Sequence, residues 1–336
     1  MKKIRYGILS TAQIVPRFVE GIKESSLGEA VAIASRTYYK AAKMAEELAI
    51  PKAYGSYEEL CKDEEVDIIY VATYNKGHYE AAKMALTYKK HVLVEKPFTL
   101  KLAQAKELFE VAEKNGCFLM EAQKSVFLPI SLQVKKAIQQ NKIGEIHWLQ
   151  SITSYPNVDH ISWFHSLDAG GGALHGSGSY PLQYMQFILD QSITEYYGNA
   201  TRKKGAADDQ VNMGLTFQNQ VLGTIFISVK VDIPSKLTIY GDKGHIEIPY
   251  FWKTKQATIY YDDGRQETLI GEFDSEFVFE VEHVNECLQN HLLESPVMTR
   301  NMTLDTVSIV DRLYATWLET DDNSEKYCNH SISMLK

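Results

Sequence analysis

The chain has 336 residues, of which 45% are hydrophobic and 23% are charged. This length corresponds to about two domains, and the composition is that of a globular protein, which excludes disordered, collagenous and coiled-coil chains. The formal net charge of −8 argues against a nucleic-acid-binding protein. No apolar run approaches the ~20 residues that a membrane-spanning helix needs, so we expect no membrane partner.

The N-terminal segment Met1-Lys2-Lys3-Ile4-Arg5 resembles the basic start of a signal peptide. Polar residues interrupt the apolar stretch from residue 10 onward and no small-residue cleavage site follows, so we interpret Ile4–Leu9 as a first β-strand. The four cysteines show no CxxC spacing and the histidines no metal-ligand pattern, so neither a disulfide framework nor a metal site is expected. A cytoplasmic protein is the simplest interpretation.

Up to about residue 120, short β-rich runs alternate with longer segments of helical periodicity. The predicted strands are Ile4–Leu9, Glu29–Ser35, Asp67–Thr73, His91–Val94 and Phe118–Met120. The predicted helices are Tyr38–Leu48, His78–Lys90 and Leu102–Asn115, and a capping box from Ser56 to Glu59 opens a shorter one. This alternation predicts an α/β domain of the dinucleotide-binding type over residues 1–122, with helices on both faces of a parallel sheet.

Beyond about residue 122 the pattern changes, and we assign residues 123–336 to a second, α+β domain. The predicted elements are helix Pro129–Asn141, strand Glu145–Ser154, an irregular stretch from Tyr155 to Gly172, and helix Ser179–Leu189. From Thr194 to Ile270, turn sequences at 218–220, 241–244 and 262–264 separate successive strands, which predicts an antiparallel sheet. Helices Glu276–Leu293 and Thr303–Glu319 follow, and the last dozen residues are expected to fray.

The loop after the first strand reads Ser10-Thr11-Ala12-Gln13-Ile14-Val15. In a dinucleotide-binding fold this loop needs small residues, because the backbone approaches the pyrophosphate at the N-terminus of the next helix. Against the pattern G-x-G-x-x-G/A, the three positions hold Ser, Ala and Val, so the glycines are absent although the first two positions remain small. An ordinary strand-to-helix turn explains this loop equally well on its own.

The second strand ends at Ser35-Arg36-Thr37, and Lys40 follows one helical turn later. An NAD-specific site usually carries Asp or Glu here to bind the ribose 2′-hydroxyl, whereas a 2′-phosphate attracts hydroxyl donors and cations. Ser35, Arg36 and Lys40 therefore favour NADP(H), with NAD(H) still possible. The alternative is that Arg36 and Lys40 are solvated surface charges.

Four further segments are informative together, and they are Thr73-Tyr74-Asn75-Lys76-Gly77-His78, Val94-Glu95-Lys96-Pro97, Glu121-Ala122 through Phe127-Leu128-Pro129, and Gly170-Gly171-Gly172-Ala173-Leu174 through Gly178-Ser179-Tyr180-Pro181. With the features above, and in this order and spacing, they resemble the Gfo/Idh/MocA oxidoreductases, and within that family the dimeric dihydrodiol dehydrogenase branch. The resemblance implies a Rossmann domain followed by a large, open, mostly antiparallel sheet. It also implies NAD(P)-dependent hydride transfer on a sugar-like, polyol or diol substrate, and a homodimer or homotetramer built on that sheet.

The resemblance assigns catalytic roles to Lys96 and Tyr180. The Lys96 ammonium would stabilise charge on the substrate oxygen, and Tyr180 would be the proton donor. A phenol near a lysine is expected to have a lowered pKa. The alternatives are a lysine that only holds the domain junction and a core tyrosine on an amphipathic helix.

Gly176 departs from the family pattern, because many members carry Asp four residues before the Tyr or His. One of His175, His160 and His165 could substitute for that carboxylate, or each is a structural or solvated histidine.

Lys124 is a second departure, and a cation there could contact substrate or ribose. Further residues expected to contact the cofactor are Thr73, Asn75, His78, Glu95, Lys96 and Gln123, with a helix-capping role as the alternative for His78. Residues expected to line the substrate pocket are Trp163, Phe164 and His165, with anchoring of their loop as the alternative.

Two other functions stay open. The missing carboxylate at Gly176 would suit a dinucleotide-binding protein with little or no turnover. Some relatives of this fold cleave glycosides with a tightly bound NAD(P) that is used only transiently. A fold-level analogy does not decide among these functions or identify the substrate.

Overall fold

The structure is a computed structural model that describes residues 3–333, with side chains as far as residue 319. The strands of its N-terminal sheet are β1 (Ile4–Leu9), β2 (Gly28–Ala34), β3 (Lys52–Tyr54), β4 (Ile68–Val71), β5 (His91–Glu95) and β6 (Leu119–Ala122). All six are parallel and lie in the order β3-β2-β1-β4-β5-β6. The direction of winding reverses between β1 and β4, and open α/β sheets bind ligands at the carboxyl ends of the strands beside such a point.

Helices cover both faces of this sheet, which explains why its strands are nearly continuous apolar runs. The helices are α1 (Val15–Glu24), α2 (Tyr38–Leu48), α3 (Tyr57–Lys62), α4 (His78–Thr87) and α5 (Leu102–Asn115). The predicted capping box opens α3, because Ser56 Oγ accepts from the Glu59 N–H at 3.2 Å and the Glu59 side chain accepts from the Ser56 N–H at 3.1 Å. The bounds predicted for α2 and α5 are confirmed, whereas α4 ends three residues before its predicted end. The three-residue strand β3 was not predicted, because so short a run carries no readable alternation.

The C-terminal part contains a large eight-stranded sheet. Its strands are β7 (Ile146–Ser154), β8 (Ile193–Arg202), β9 (Asp208–Phe217), β10 (Leu222–Ser228), β11 (Lys236–Gly241), β12 (Gly244–Pro249), β13 (Gln256–Tyr261) and β14 (Gln266–Ile270). They lie in the order β14-β13-β12-β11-β7-β10-β9-β8, and every pair is antiparallel except β7 with β10. The prediction of an α/β Rossmann sheet followed by a large, open, mostly antiparallel sheet is therefore confirmed.

The described helices after β6 are α6 (Pro129–Gln139), α7 (Ala173–Ser177), α8 (Ser179–Leu189), α9 (Val278–Gln289) and α10 (Arg300–Ser333). Among these, α9 packs against α1 and β2 of the N-terminal part. The inner face of the sheet carries buried residues such as Leu149, Ile239 and Ile259, which belong to the same apolar core as Tyr6 and Phe18 of the N-terminal part. Because one core spans both sheets, the division into residues 1–122 and 123–336 stays a prediction.

The outer face of the second sheet carries a ladder of stacked rings across β7, β11, β12 and β13. The ring centroids are 4.8 Å apart between Trp148 and Tyr240, 5.6 Å between Tyr240 and His245, and 4.7 Å between His245 and Tyr260. Leu222 on β10 pairs in register with Trp148 and is 54% exposed. This face therefore presents apolar surface to its surroundings.

The end of the chain lies partly beyond the described residues. The last helix reaches Ser333 through much of the segment that was expected to fray, while residues 334–336 and all side chains after Glu319 are outside the description. Three cysteines with described side chains are buried and free, and Cys328 is not among them. No described helix has both the length and the apolar character needed to cross a membrane.

Candidate active site

Two cavities meet at the carboxyl ends of the parallel strands. The larger measures about 970 Å³ and is walled by the ends of β4 and β5 and by the loop after β7. The smaller measures about 720 Å³ and lies over the ends of β1 and β2. The residues that line both are Thr11, Ala12, Lys40, Thr73, Tyr74 and Trp163. The cavities therefore form one continuous groove, which is the kind of concave surface that binds small molecules.

Most of the predicted site residues lie in the walls of this groove. They are Ser10, Thr11, Ala12, Gln13, Ile14, Ser35, Arg36, Lys40, Thr73, Asn75, His78, Glu95, Lys96, Lys124, His160, Trp163, Phe164 and Tyr180. These residues come from segments up to 170 positions apart in the sequence, from Ser10 to Tyr180, so only the fold brings them together.

Ser10 stands where the dinucleotide-binding pattern has its first glycine. Its φ of +118° lies in the region that favours glycine. The Ser10 hydroxyl donates to the Ala72 carbonyl at 2.8 Å and accepts from the Ala12 N–H at 3.0 Å. These two hydrogen bonds hold the serine in this conformation, so the turn stays tight although the glycine is absent.

The start of α1 offers free backbone donors to the groove. No side chain caps the helix at Ile14, and the N–H groups of Gln13 and Ile14 have no hydrogen-bond partner among the described residues. They lie at the positive end of the helix dipole, where backbone N–H groups bind phosphate. The loop therefore fits the pyrophosphate of a dinucleotide.

The smaller cavity carries the cations predicted for a 2′-phosphate. Ser35 is buried at the end of β2, and the exposed side chains of Arg36 and Lys40 share its cavity. No carboxylate within the described part of the chain forms an ion pair with Arg36 or Lys40. Both side chains can therefore donate charge-assisted hydrogen bonds to an anionic group bound in the groove.

Lys96 and Tyr180 meet in the larger cavity. Lys96 follows the last residue of β5, its Nζ donates to the Gly176 carbonyl at 2.9 Å, and it lies 5.2 Å from the centroid of the Tyr180 ring. Burial lowers the pKa of Lys96, while the carboxylate of Glu95 acts in the opposite direction. An ammonium in such a place keeps further N–H donors for a ligand oxygen.

The prediction of a lowered pKa for Tyr180 is wrong. Burial raises the pKa of this phenol well above its usual value, and the carboxylates of Glu95 and Glu280 raise it further. Burial and these carboxylates outweigh the nearby cations, although the Lys96 ammonium lies 5.2 Å from the centroid of the ring. The Tyr180 hydroxyl has no hydrogen-bond partner among the side chains described, so a protonated phenol is available to a ligand in the cavity.

Lys124 lines the larger cavity. It also forms an ion pair that the sequence analysis did not predict. Its Nζ donates to Glu276 Oε1 at 2.9 Å and lies 4.4 Å from the centroid of the Phe277 ring. Arg17 of α1 pairs with the same carboxylate. Burial lowers the pKa of Lys124. The cluster joins α1, the segment after β6 and the segment before α9, so Lys124 has a structural partner as well as a place in the cavity.

His78 and Asn75 hold loops at the rim of the groove. The His78 nitrogens Nδ1 and Nε2 lie 2.8 Å and 3.0 Å from the carbonyl oxygens of Pro97 and Thr73. A neutral imidazole donates to only one of two such acceptors. Burial lowers the pKa of His78, so the neutral form is favoured. Asn75 Nδ2 donates to the Gly170 carbonyl at 2.8 Å and ties the irregular loop to the N-terminal sheet.

Three predicted residues do not line the groove. His175 is buried, stacks on Tyr314 at 4.1 Å between ring centroids, and has its Nδ1 3.1 Å from the Gly171 carbonyl oxygen. His165 is 56% exposed and lies 3.7 Å from an oxygen of Asp209. Helical and loop geometry turn these two side chains away from the cavity, so neither takes the place of a carboxylate beside Lys96.

Gln123, the third of these residues, belongs to a buried polar network. Its amide nitrogen donates to the Ser179 carbonyl at 3.2 Å and to Gln183 Oε1, and its amide oxygen accepts from Ser125 Oγ at 2.9 Å. Gln183 in turn donates to Glu121 Oε2 at 2.6 Å, and burial raises the pKa of Glu121 to about 7. With its amide bound to protein, Gln123 positions the start of α8, which carries Tyr180.

The sequence reasoning missed several residues of the larger cavity. They are Arg17, Tyr155, Ile161, Trp252, Lys253 and Phe277. Trp252 lies in the turn after β12, more than 70 residues beyond Tyr180, and only sheet topology brings it back to the site. Tyr155 had one usable signal, because it directly follows a predicted strand and opens an irregular stretch.

Comparison with known proteins agrees with this geometry. Residues 4–123 match the model of an oxidoreductase family with an NAD-binding Rossmann fold, and residues 131–247 match the model of the GFO/IDH/MocA C-terminal domain. The chain belongs to the Gfo/Idh/MocA oxidoreductase family. The predicted family and the predicted likeness to dihydrodiol dehydrogenases are both confirmed.

The similar curated proteins include trans-1,2-dihydrobenzene-1,2-diol dehydrogenases. That of Mus musculus is 31% identical over 307 residues, which cover 88% of this chain and 91% of the relative. That of Xenopus laevis is 30% identical and covers 88% of this chain and 92% of the relative. This chain thus shares nearly its whole length with proteins named as dehydrogenases.

Solved structures share the fold. KijD10, a 3-ketoreductase from Actinomadura kijaniata in complex with NADP and TDP-benzene, has a TM-score of 0.84 at 24% identity, covering 94% of this chain and 98% of its own. Aldose-aldose oxidoreductase from Caulobacter crescentus, complexed with glycerol, has a TM-score of 0.85 at 19% identity, covering 94% and 97%. At these identities the likeness establishes the fold alone.

Proposed function

We propose that this protein is an NADP(H)-dependent oxidoreductase that acts on a cyclic diol, polyol or sugar-like substrate. The observation that carries the proposal is the single groove that joins the Lys96–Tyr180 pair to the Arg36–Lys40 cations. A nicotinamide cofactor, when bound, supplies or accepts the hydride. The names of the similar dehydrogenases and the ketoreductase support the reaction class.

Each part of the groove has a role in this function. The N–H groups of Gln13 and Ile14 would hold the pyrophosphate, and Arg36 and Lys40 would bind the 2′-phosphate. Binding of an additional phosphate dianion by two free cations is the reason to expect NADP(H) in preference to NAD(H). Preference for the phosphate is therefore an electrostatic property of this end of the groove.

Lys96 and Tyr180 act on the substrate oxygen. The Lys96 ammonium donates a hydrogen bond to that oxygen and stabilises the negative charge that develops when the carbonyl is reduced. The Tyr180 phenol, protonated because its pKa is raised, gives the oxygen its proton. Aromatic rings of Trp163, Phe164 and Trp252 line the same cavity and suit the apolar face of a cyclic substrate.

The test is a thermal-shift titration of cofactor-free protein with NADPH and with NADH, followed by absorbance assays with cyclic ketones and diols. A ligand at ~100 times its dissociation constant stabilises the native state by roughly 2.7 kcal/mol, which is a visible shift in melting temperature. NADPH is expected to act at lower concentration than NADH. Lys96→Met and Tyr180→Phe are expected to lower kcat by about 10²–10³-fold and 10²–10⁴-fold while the NADPH shift remains.

The same assays separate the other candidate functions. A protein that binds NADPH but turns over no carbonyl or diol would be a dinucleotide-binding protein without redox turnover. Glycoside cleavage with a cofactor that co-purifies and shows no net absorbance change would indicate the hydrolase. If neither NADPH nor NADH raises the melting temperature, the protein does not bind a dinucleotide and the proposed function is refuted.

We also propose that the outer face of the second sheet joins copies of this chain into a homodimer or homotetramer. The half-buried ladder from Trp148 to Tyr260 and the exposed Leu222 form one apolar surface, and closed symmetric oligomers are the usual way to cover such a surface.

The buried, free state of Cys61, Cys117 and Cys287 fits a reducing compartment, so we propose the cytoplasm as the site of action.

A further inference from the structure

Tyr155 lines the larger cavity, yet the proposed chemistry gives it no role. It directly follows β7, and its backbone N–H donates to the Ser228 carbonyl at 3.1 Å, so the sheet fixes its position. Its ring lies edge-on to Phe164 with 6.3 Å between centroids. The cavity that Tyr155 and Phe164 line is the one that contains Lys96 and Tyr180.

The Tyr155 hydroxyl lies directly against Gly176. A Cβ atom on Gly176 would come 2.8 Å from the Tyr155 hydroxyl oxygen, so a side chain at this position would force the Tyr155 ring to shift. The carbonyl of the same glycine accepts the 2.9 Å hydrogen bond from Lys96 Nζ. A residue without a side chain therefore lets a hydroxyl and an ammonium approach from two sides.

The Tyr155 phenol is a neutral hydrogen-bonding group. Its oxygen donates to the Ala173 carbonyl at 3.2 Å, and a hydroxyl that donates one hydrogen bond keeps lone pairs to accept others. Burial raises the pKa of Tyr155, so the phenol stays protonated and does not act as a base. The phenol oxygen also accepts a side-chain hydrogen bond from Ser177, and its second lone pair can accept a hydrogen bond from a hydroxyl of the bound substrate.

We propose that Tyr155 determines specificity for vicinal diols by binding the hydroxyl next to the reacting carbon. Lys96 contacts the Gly176 carbonyl, the Tyr155 hydroxyl lies against the same glycine, and all three line one cavity with Tyr180. In this arrangement a substrate would present its reacting oxygen to Lys96 and Tyr180 and its neighbouring oxygen to Tyr155. This assignment rests on the proposed function and adds to it the chemistry of the second substrate oxygen. It also explains the absence of a side chain at residue 176.

The test compares trans-cyclohexane-1,2-diol with cyclohexanol, which lacks the second hydroxyl, in NADP⁺-dependent oxidation. Tyr155→Phe keeps the ring and removes only the hydroxyl. The ratio of kcat/KM for the diol to kcat/KM for cyclohexanol is expected to fall roughly 3- to 10-fold, the effect of one neutral hydrogen bond. Where cyclohexanol is oxidised too slowly, inhibition constants of the two alcohols against the ketone reduction give the same ratio.

A ratio that Tyr155→Phe leaves at the wild-type value overturns the assignment, even when the enzyme is active. Wild-type protein that binds NADPH but neither oxidises nor binds the diol refutes the proposed function as well, so the two failures are distinct. Tyr197→Phe, a substitution at a 68% exposed tyrosine of the second sheet, is the matched control and is expected to leave the ratio unchanged.

A second substitution tests the contact itself. Gly176→Ala places a methyl group 2.8 Å from the Tyr155 hydroxyl and is expected to lower the same ratio in the wild-type background. In the Tyr155→Phe background it is expected to lower the ratio little further, because the contacting oxygen is already absent. Additive losses from the two substitutions would show that they act independently and would contradict the proposal. Melting temperatures of all variants separate these effects from a loss of folding.

Discussion

The turn after β1 gives the most direct test of how this chain replaces the missing glycines. Ser10→Ala removes the hydrogen bonds of the serine hydroxyl to Ala72 and Ala12 but keeps a Cβ atom at φ +118°. Two such bonds at about 0.5–1.5 kcal/mol each predict that the free energy of unfolding falls by about 1–3 kcal/mol. Ser10→Gly loses the same bonds, but it relieves backbone strain of about 1–3 kcal/mol at a cost of about 0.5–1 kcal/mol in chain entropy.

We therefore expect Ser10→Gly to lie within about 1 kcal/mol of wild type and Ser10→Ala clearly below it. Urea unfolding followed by tryptophan fluorescence measures both, and NADPH titration of each variant tests whether the turn also matters for the cofactor. Ser10→Gly is expected to bind NADPH nearly as well as wild type, and Ser10→Ala more weakly. A glycine variant less stable than the alanine variant would refute the argument that the serine is held in a conformation that suits glycine.

Three further predictions concern other parts of the molecule. Arg36→Ala is expected to weaken NADPH binding about 10-fold or more and to leave NADH binding nearly unchanged, because only NADPH carries the 2′-phosphate. Equal losses of affinity in the two titrations would show that Arg36 does not bind the 2′-phosphate. Burial lowers the pKa of His175 to about 4, below the ordinary ~6.5. Between these values the native state binds fewer protons than the unfolded state, so the free energy of unfolding falls by up to about 3 kcal/mol as the pH drops from 6.5 to 4. His175→Phe, which keeps a ring against Tyr314, is expected to flatten that dependence in urea titrations, and an unchanged slope would contradict it. Trp148→Glu is expected to shift the light-scattering mass toward one chain, whereas a wild-type mass of one chain would exclude the oligomer.

Much of the fold follows from local sequence patterns. The predicted bounds of α2, α5 and α8 agree with the structure. α2 and α5 bury apolar residues on one face, whereas α8 is buried on nearly every side. The three turn sequences of the second domain coincide with the turns after β9, β11 and β13, because Asn, Asp and Gly accept the backbone angles that such turns require. Short-range steric and hydrophobic preferences are sufficient for these features.

The position of β7 did not follow from local patterns. It precedes the other strands of its sheet by about 40 residues, yet it inserts between β10 and β11. Since β10 and β11 run in opposite directions, a strand between them is necessarily parallel to one of them. Tyr155 reaches the cavity as a consequence of this insertion, so its contact with Gly176 could not be predicted from local sequence patterns.

The site differs from its prediction in the same way. His175 was a candidate because it adjoins Gly176 in sequence, but neighbouring residues on a helix point about 100° apart, and His175 turns toward Tyr314. Residues predicted from the ends of parallel strands, such as Lys96 and Thr73, do line the groove, because strand topology fixes where those ends lie. Motif positions on strand ends thus transfer to the structure more reliably than adjacency along the chain.

Two of the departures from the expected pattern, at Ser10 and Gly176, are each explained by a hydroxyl group. At residue 10 a serine takes a conformation that suits glycine, and its own hydroxyl bonds hold it there. At residue 176, in α7, the hydroxyl of Tyr155 from the end of β7 lies where a side chain would be. At residue 10 the serine's own hydroxyl holds the backbone shape that a glycine would allow, and at residue 176 the Tyr155 hydroxyl occupies the space of the missing side chain. Both departures are therefore compatible with the proposed oxidoreductase, and the ratio measured for Tyr155→Phe tests whether Gly176 acts through substrate recognition.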